Sequence, residues 1–256
     1  IAVAGLVLCL VSFVDDRRGL PVILRLFAQA AVAVTVLVFS DLISPSALML
    51  LCLLSLLWGA NLYNFMDGAD GLAGGMAVAG FLAYGLVSWH VTPELASLCF
   101  LLVATTLGFL LFNFSPAKIF LGDAGSVPLG FLAAALGLLG WQQQVWPIWF
   151  PVLVFSPFIV DASMTLLKRL LRGERLWQAH REHYYQRLVR MGWSHRRLAL
   201  AEYGLMAAAG ASAIQLLNSS PSVKWFGLLA WVSLYALAMI AIDLCWKQHL
   251  KKEDMS

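Results

Sequence analysis

Long apolar runs, separated by short polar segments, occupy almost the whole chain. Most of them approach the roughly 20 residues that an α-helix needs to cross the hydrocarbon core of a bilayer. The pattern predicts an all-α fold, a polytopic bundle of transmembrane helices. We expect nine spans, near residues 1–14, 21–40, 46–63, 72–90, 94–113, 126–141, 146–170, 198–217 and 224–246.

The composition agrees with this class, because 61% of the 256 residues are hydrophobic and 12% are charged. A mean hydropathy of +0.81 excludes an ordinary soluble domain. The chain starts at Ile1 inside an apolar run, so we expect the first span to be truncated and further spans to precede it. Residues 1–256 are interpreted as one membrane domain, and residues 172–197 as its longest cytoplasmic loop.

Basic residues define the orientation. Nine alternating spans place every Lys and Arg except Lys224 on one side, which the positive-inside rule identifies as the cytoplasm. The net charge of +3 is modest and gives no indication of nucleic-acid binding. Acids at the ends of apolar runs gather on the same side and indicate a bound cation or phosphate: Asp15, Asp16, Asp67, Asp70 and Asp123.

The first polar motif is the pair Asp15 and Asp16, followed by a turn at residues 19–21. Two adjacent acids at a membrane surface also fit a solvated, charge-balanced loop. Alone, this motif does not separate a functional site from such a loop.

The second motif follows the third apolar run. On a helix, Asn61, Asn64 and Asp67 share one face, and Gly68 and Gly71 allow a ligand to approach the backbone closely. A helix cap and turn is the structural alternative. Two amides and two acids at the end of a lipid-embedded helix favour a functional site.

The third motif leads into the sixth apolar run. Gly122, Gly125 and Ser126 stand at the predicted start of a helix, where free N–H groups can bind phosphate. The carboxylate of Asp123 would repel phosphate unless a divalent cation lay between them. We therefore favour magnesium here, and an N-cap role for Asp123 or Ser126 is compatible with it.

The fourth motif lies in the loop 172–197. A helix there would carry His180, His183, Arg187 and Arg190 on one face, directed at an anion near the lipid headgroups. An amphipathic surface helix without a ligand is the alternative. The intramembrane Asp161 is interpreted as a partner of this basic loop, whereas Asp243 is expected to extend to the membrane surface.

Together the motifs DDRRGL (15–20), NLYNFMDGADGLAGG (61–75), FNFSPAKIFLGDAGS (112–126) and HREHYYQRL (180–188) resemble one enzyme family. It is the polyprenyl-phosphate N-acetylhexosamine-1-phosphate transferase family, which includes phospho-N-acetylmuramoyl-pentapeptide transferase. The resemblance implies ten or eleven helices in the full chain and a cytoplasmic site in a bacterial inner membrane. It implies transfer of a sugar 1-phosphate from a UDP-N-acetylhexosamine to polyprenyl phosphate, with Mg²⁺, or alternatively Mn²⁺, as cofactor. A homodimer is left open.

The resemblance also implies individual roles. Asp123 matches the foremost metal ligand and Asn64 a second one, while Asp15 matches the acid that deprotonates the lipid phosphate, with Asp16 as its neighbour. Asp67 and Asp70 match nucleotide contacts, Asn113 a uridine contact and Phe120 the ring that stacks on uracil. His183 and Arg181 would contact the diphosphate or the sugar. With the motif analysis, the substrate-binding set is Asn61, Asn64, Asp67, Asp70, Asn113, Phe120, His180, Arg181, His183 and Arg187.

One departure concerns the donor sugar. Many family members that use GlcNAc carry an HxHH signature, whereas this chain has His183, Tyr184, Tyr185 and Gln186. This form resembles a branch that initiates O-antigen or capsule with 6-deoxy-N-acetylhexosamines such as FucNAc or QuiNAc. Two other classes remain: a lipid or sugar transporter, with its acids at mid-depth, and a CDP-alcohol phosphotransferase, with its acids in one helix.

Overall fold

The computed structural model describes residues 1–39, 47–175, 178 and 180–253, and in these residues the chain forms only α-helices. The predicted all-α class is confirmed. The boundary between the second and third predicted spans falls outside the described residues. The helices are α1 (Ala2–Arg18), α2 (Val22–Phe39), α3 (Ala47–Phe65), α4 (Leu72–Ser88), α5 (Pro93–Asn113), α6 (Gly122–Gln142), α7 (Trp149–Val154), α8 (Ser156–Leu171), α9 (Tyr184–Arg190), α10 (His195–Leu217) and α11 (Pro221–Glu253).

Within the described ranges, six helices are long and apolar enough to cross a membrane: α2, α3, α5, α6, α10 and α11. Helices α1 and α4 are apolar but have only 17 residues each. A multi-pass membrane protein is therefore confirmed. The count of nine spans stays a prediction.

The predicted span 146–170 is wrong as a single helix, because the chain breaks at Phe155 between α7 and α8. Pro157 has no N–H and cannot donate to the carbonyl oxygen of Leu153, four residues earlier. The hydroxyl of Ser156 donates to that oxygen instead, at 2.6 Å. The break therefore leaves the Leu153 carbonyl satisfied within the apolar interior.

Helix α6 lies at the centre of the bundle. One buried cluster joins the eight helices α3 to α10 around Tyr63, Phe81 and Phe158. A second cluster joins α1, α2, α3 and α6 around Leu8 and Phe131. Because α3 and α6 belong to both clusters, their contact determines where the second and third polar motifs lie relative to each other.

Helices α3 and α6 approach closely through two glycines, as is common where transmembrane helices pack without a hydrophobic driving force. A Cβ atom on Gly130 would lie 2.2 Å from the carbonyl oxygen of Gly59 and 2.5 Å from the Cβ of Tyr63. These atoms belong to, or sit directly on, the α3 backbone and cannot rotate away. Any larger residue at position 130 would force the two helices apart.

We expect Gly130→Ala to lower the free energy of unfolding by about 1–3 kcal/mol, the usual cost of overpacking. Thermal unfolding of the detergent-solubilised protein measures the change. The matched control is Gly108→Ala in α5, where no atom lies within 4 Å of an added Cβ. The control should unfold at or slightly above the wild-type temperature. Equal unfolding temperatures for the two variants would contradict the close contact.

Candidate active site

Asp15 lies in the last turn of α1 and is 7% exposed. Gly19 ends the helix with a φ of 63°, and the following N–H of Leu20 donates to Asp15 Oδ1 at 2.7 Å. Arg25 Nη1 donates to Asp15 Oδ2 at 3.0 Å and to Asp123 Oδ2 at 3.3 Å. One guanidinium therefore joins the carboxylates of two motifs that are far apart in the chain.

Asp16 is exposed and points to the start of α6, where its Oδ2 accepts a hydrogen bond from the N–H of Ala124 at 3.1 Å. Gly122 has a φ of 64°, and a Cβ there would lie 3.0 Å from Asp16 Oδ2. Glycine therefore permits this close approach. A carboxylate at a helix N-terminus is stabilised by the free N–H groups and the helix dipole.

Asn64, on the last turn of α3, faces the first turn of α6. Its Oδ1 accepts a hydrogen bond from the hydroxyl of Ser126 at 2.9 Å, and its side chain also hydrogen-bonds the carboxylate of Asp123. One turn earlier, Asn61 Nδ2 donates to Oε1 of the buried Gln29 at 2.7 Å. Asn64 thus contacts the acid of the third motif, whereas Asn61 is held by Gln29 of α2.

Asp67 lies just beyond α3, in the loop that leads to α4. Burial and the neighbouring carboxylate of Asp123 raise the pKa of Asp67 to about 7, although the backbone N–H of Gly122 acts in the opposite direction. The two partly buried carboxylates repel each other. A cation between or beside them would offset this repulsion and stabilise their ionised forms.

The donor groups of the site determine whether it fits Mg²⁺. Within the described ranges, no three His, Cys, Asp or Glu side chains are grouped closely enough to hold a metal by themselves. Mg²⁺ commonly takes one or two protein oxygens and completes its shell with water and substrate phosphates. The carboxylate of Asp123 and the second lone pair of Asn64 Oδ1 suit that arrangement.

Asp70 and Asn113 connect three segments. The N–H of Gly71 donates to Asn113 Oδ1 at 3.0 Å, and that of Ala117 donates to Asp70 Oδ2 at 3.1 Å. His195 Nδ1, at the start of α10, lies 3.1 Å from Asp70 Oδ1. Burial by itself would raise the pKa of Asp70, but the bonds from His195 and Ala117 outweigh it and lower the pKa. These contacts give both side chains a positioning role, and their contact with a nucleotide stays a prediction.

The ring of Phe120 is 77% exposed beside α6, and Asn113 Nδ2 donates to the carbonyl of the preceding Ile119 at 2.9 Å. The aromatic face is therefore accessible to a flat ligand. Its predicted stacking on uracil stays a prediction.

The segment before α9 is held by Asp161, as the sequence predicts. Asp161 accepts hydrogen bonds from the N–H groups of Tyr184 and Tyr185, both at 2.9 Å, and its Oδ1 lies 3.3 Å from His183 Nδ1. The His183 ring is stacked near Phe65 and Tyr185, with centroids 5.9 and 6.0 Å apart. A buried carboxylate thus caps α9 and orients the histidine before it.

His180 lies beside His183, with ring centroids 4.9 Å apart, and its buried Nδ1 has no hydrogen-bond partner. Burial, followed by electrostatic interaction with His183 and Arg169, lowers the pKa of His180 to about 4. The ring is therefore neutral near pH 7, with a buried polar atom that no protein group satisfies. Arg181 is exposed on the adjoining loop.

The predicted helix face in the fourth motif is wrong. Among the described residues of 172–197 before position 195, the only helix is α9, so His180 and His183 precede it. Arg187 is buried and donates to the carbonyl of Glu182 and to Asp243, away from the cleft. Arg190 lies over the ring of Trp246. Asp243 thus forms an ion pair with Arg187, and the prediction that it simply extends to the membrane surface is wrong.

A cleft of about 810 Å³ lies at the ends of α1, α2, α3, α6 and α8. Of the predicted site residues it brings together Asp15, Asn61, Asn64, Asp123, His180 and His183. Those outside its lining are Asp16, Asp67, Asp70, Asn113, Phe120, Arg181 and Arg187. Its mouth is polar and its deeper wall is apolar, formed by side chains such as Leu8, Leu54, Leu57 and Trp58. The polar lining consists of Ser12, Asp15, Arg25, Gln29, Asn61, Asn64, Asp123, Gln178, His180, His183 and Gln186.

Three residues of the site were not predicted from the sequence: Arg25, Gln29 and His195. Arg25 counted only toward the positive-inside orientation, although a cation one turn inside an apolar helix is itself a signal of a functional site. Gln29, one turn further, carried the same kind of signal. Nothing in the sequence indicated His195, because its partner Asp70 is distant in the chain.

The fold and the cleft define a multi-pass membrane protein with an acidic and amide-lined site at the ends of its helices. The family described as glycosyl transferase family 4 matches residues 1–140 of the chain. The chain therefore belongs to glycosyl transferase family 4.

Three curated relatives illustrate the similarity. The chain is 33% identical to the "Probable undecaprenyl-phosphate N-acetylglucosaminyl 1-phosphate transferase" of Bacillus subtilis (strain 168), over 71% of this chain and 49% of the relative. It is 34% identical to the phospho-N-acetylmuramoyl-pentapeptide-transferase of Listeria welshimeri, over 57% and 44%. It is 31% identical to the undecaprenyl-phosphate alpha-N-acetylglucosaminyl 1-phosphate transferase of Escherichia coli O157:H7, over 96% and 73%. The chain thus spans about half the length of the first two relatives.

Proposed function

We propose that the protein transfers a sugar 1-phosphate from a UDP-N-acetylhexosamine to polyprenyl phosphate and releases UMP. The relatives whose names specify undecaprenyl phosphate and a 1-phosphate transfer support this reaction class. The observation that carries the proposal is the cleft, in which Asp15, Arg25, Asn64 and Asp123 line a polar mouth continuous with an apolar wall.

The shape of the cleft suits an acceptor with a charged head and an apolar tail. Leu54 lies ten residues before Asn64 on α3, so at 1.5 Å per residue the cleft follows the helix for about 15 Å. A phosphate at the mouth would meet Arg25, while the first isoprenoid units would lie along the apolar wall. A water-soluble acceptor would gain nothing from that wall.

The reaction joins two anions. An oxygen of the lipid phosphate attacks the sugar-linked phosphorus of the donor, the bond between the two donor phosphates breaks, and UMP leaves. Asp15 stands at the mouth to accept a proton from the lipid phosphate, and Arg25 lies where it can bind phosphate oxygens. Mg²⁺, with Mn²⁺ as the alternative, would neutralise charge on the transferred phosphate, held by Asp123 and Asn64.

The nucleotide would occupy the side of the site formed by the loops 66–71 and 113–121. Asp67 and Phe120 stand at that side, and Asp70, Asn113 and His195 hold the two loops together. His180, with its unpartnered Nδ1, and His183 would face the diphosphate or the sugar from the opposite wall.

The donor sugar is proposed to be a 6-deoxy-N-acetylhexosamine, in an O-antigen or capsule pathway. The support is the replacement of the HxHH histidines by Tyr185 and Gln186, which changes the polar groups beside His183. Gln186 Nε2 donates to Tyr185 Oη at 3.1 Å, and Tyr185 Oη donates to the carbonyl of Phe65 at 3.0 Å. The Tyr185 hydroxyl is thus occupied by hydrogen bonds within the protein. The polar groups left beside His183 therefore differ from those that two histidines would present.

We further propose that the protein lies in the bacterial inner membrane with the cleft on the cytoplasmic face, where UDP-sugars are made. The distribution of Lys and Arg supports this side. A homodimer is left open.

The position of the acids disfavours the two rival classes. A transporter would carry them near mid-depth, whereas Asp15, Asp67 and Asp123 lie in the last turn of α1, just after α3 and in the first turn of α6. A CDP-alcohol phosphotransferase would carry them on one helix, whereas here they come from separate segments.

A panel of radiolabelled UDP-sugars tests the proposal. Membranes containing the full-length protein are incubated with polyprenyl phosphate, Mg²⁺ and each donor, and label is followed into organic solvent. We expect one N-acetylhexosamine to label the lipid fraction, and added UMP to reverse that labelling. No lipid label with any donor, beside an active transferase as positive control, would contradict the proposed reaction.

A further inference from the structure

Helix α11 contributes no buried residue along its 33 residues. Its cytoplasmic half nevertheless contacts the segment that carries the site histidines. The contact group, called here the α9 clamp, consists of Lys168, Tyr184, Arg187 and Asp243.

Asp243 is the centre of the α9 clamp. Its Oδ1 accepts a hydrogen bond from Arg187 Nη1 at 2.8 Å, and its Oδ2 accepts hydrogen bonds from Lys168 Nζ and from the Tyr184 hydroxyl. The cationic groups of Lys168 and Arg187 both lie 5.0 Å from the ring centroid of Tyr184. One carboxylate therefore balances two cations that face the same ring.

The burial of these groups is uneven. The side chain of Arg187 is 7% exposed, whereas those of Asp243 and Lys168 are 28% and 34% exposed. A buried guanidinium left without its carboxylate is costly, while a half-exposed ammonium can turn to water. Loss of Asp243 would therefore act mainly through Arg187, and Arg187 belongs to α9.

Helix α9 needs such contacts because it has only seven residues. A helix of this length has no stability of its own in water. Asp161 caps it from the inside, and the α9 clamp holds it from the outside. His183 is the N-cap residue, so the position of its ring follows the position of the helix.

We propose that Asp243 is a positioning residue, which acts through Arg187 to hold α9 and thereby keeps His183 against the cleft. The last helix then contributes to the site without touching the substrates. This also gives Arg187 a different role from the anion contact that the sequence suggests. The activity readout below rests on the proposed function, whereas the structural readout does not.

The test compares Asp243→Asn with the wild type in lipid nanodiscs by hydrogen–deuterium exchange. Peptides covering residues 183–190 should exchange about tenfold faster in the variant, through local opening of α9. Peptides from α4 and α6 should be unchanged, which separates opening of α9 from general unfolding. Asp243→Glu, which retains the carboxylate, should restore slow exchange. The matched control is Glu253→Gln, an exposed acid ten residues further along the same helix, with wild-type exchange expected throughout.

A second pair of variants separates the clamp from a substrate contact. Adding Arg187→Gln to Asp243→Asn should slow exchange in 183–190 again, because the buried guanidinium that Asp243→Asn leaves without a carboxylate is then gone. In the transfer assay, Asp243→Asn should lower kcat/KM for the UDP-sugar about tenfold, with the KM for polyprenyl phosphate unchanged. The double variant should recover part of that loss.

Unchanged exchange in Asp243→Asn would overturn the proposal. So would a double variant no more protected and no more active than Asp243→Asn alone, since Asp243 would then not act through Arg187. If the wild type transfers no sugar phosphate, the proposed function fails, and the exchange experiment still decides whether Asp243 holds α9.

Discussion

Asp123→Asn is expected to lower turnover at least about 1000-fold, equivalent to about 4 kcal/mol of transition-state stabilisation. Asparagine has the size of aspartate but no charge, so it would lose the ion pair with Arg25 and bind a divalent cation weakly. The measurement is the rate of label transfer from the UDP-sugar to polyprenyl phosphate at saturating Mg²⁺.

The variant should remain folded, because Asp123 is half-buried and its neighbour Asn64 can hydrogen-bond an amide as well. An unfolding temperature close to that of the wild type checks this. The matched control is Glu94→Gln, which makes the same change at an exposed position in the first turn of α5, away from the cleft. It should retain full activity. Wild-type turnover in Asp123→Asn would refute the metal role of this residue.

Arg25→Gln is expected to lower turnover about 100-fold, the order of loss that follows when reacting groups are misplaced. The guanidinium joins Asp15 and Asp123, so its removal leaves two acids to repel each other across the cleft. It also removes the cation nearest to the proposed position of the lipid phosphate. We therefore expect the KM for polyprenyl phosphate to rise together with the fall in kcat.

Arg25→Lys should retain part of the activity, since an ammonium preserves the charge but cannot bridge two carboxylates in the same planar geometry. The matched control is Arg18→Gln, an exposed cation at the end of α1. It removes the same charge from the same end of the helix bundle and should leave turnover unchanged. Equal losses of turnover in Arg25→Gln and Arg18→Gln would contradict a specific role of Arg25, because the loss would then follow from surface charge in general.

The gathering of acids and amides could be predicted from the sequence because membrane spans restrict the geometry strongly. Once the spans alternate, the ends that carry Asp15, Asn64 and Asp123 must lie on one side. The structure adds that α3 and α6 meet through Gly59 and Gly130, which brings two of these ends into contact. That contact depends on small residues at two positions that are distant in the chain. It produces no periodic pattern from which the sequence could predict it.

The predictions for the fourth motif and for Asp243 were wrong because polar groups there pair with residues on other helices. Arg187 and His183 are four residues apart and would share a face on a continuous helix, but Asp161 caps the chain at Tyr184 and starts α9 there. Asp243 resembled a surface acid near the end of a span. Its partners come from α8 and α9, and a pairing over that sequence distance cannot be inferred from one chain.

The break at Phe155 had a local signal that the hydropathy pattern concealed. Pro157 removes a backbone donor in the middle of the apolar run 146–170, and a proline inside a helix kinks or ends it. Because the run remained apolar throughout, its length alone predicted a single span. The break separates α7 from α8, the helix that carries Asp161.

A UDP-sugar labelled with ³²P in the phosphate next to the sugar separates transfer of a sugar 1-phosphate from transfer of the sugar alone. The wild-type protein in membranes, supplied with polyprenyl phosphate and Mg²⁺, should move the phosphorus label into the lipid fraction and release unlabelled UMP. Label that stays in water as UDP while the sugar enters the lipid would contradict attack on phosphorus, and with it the role of the cleft proposed here.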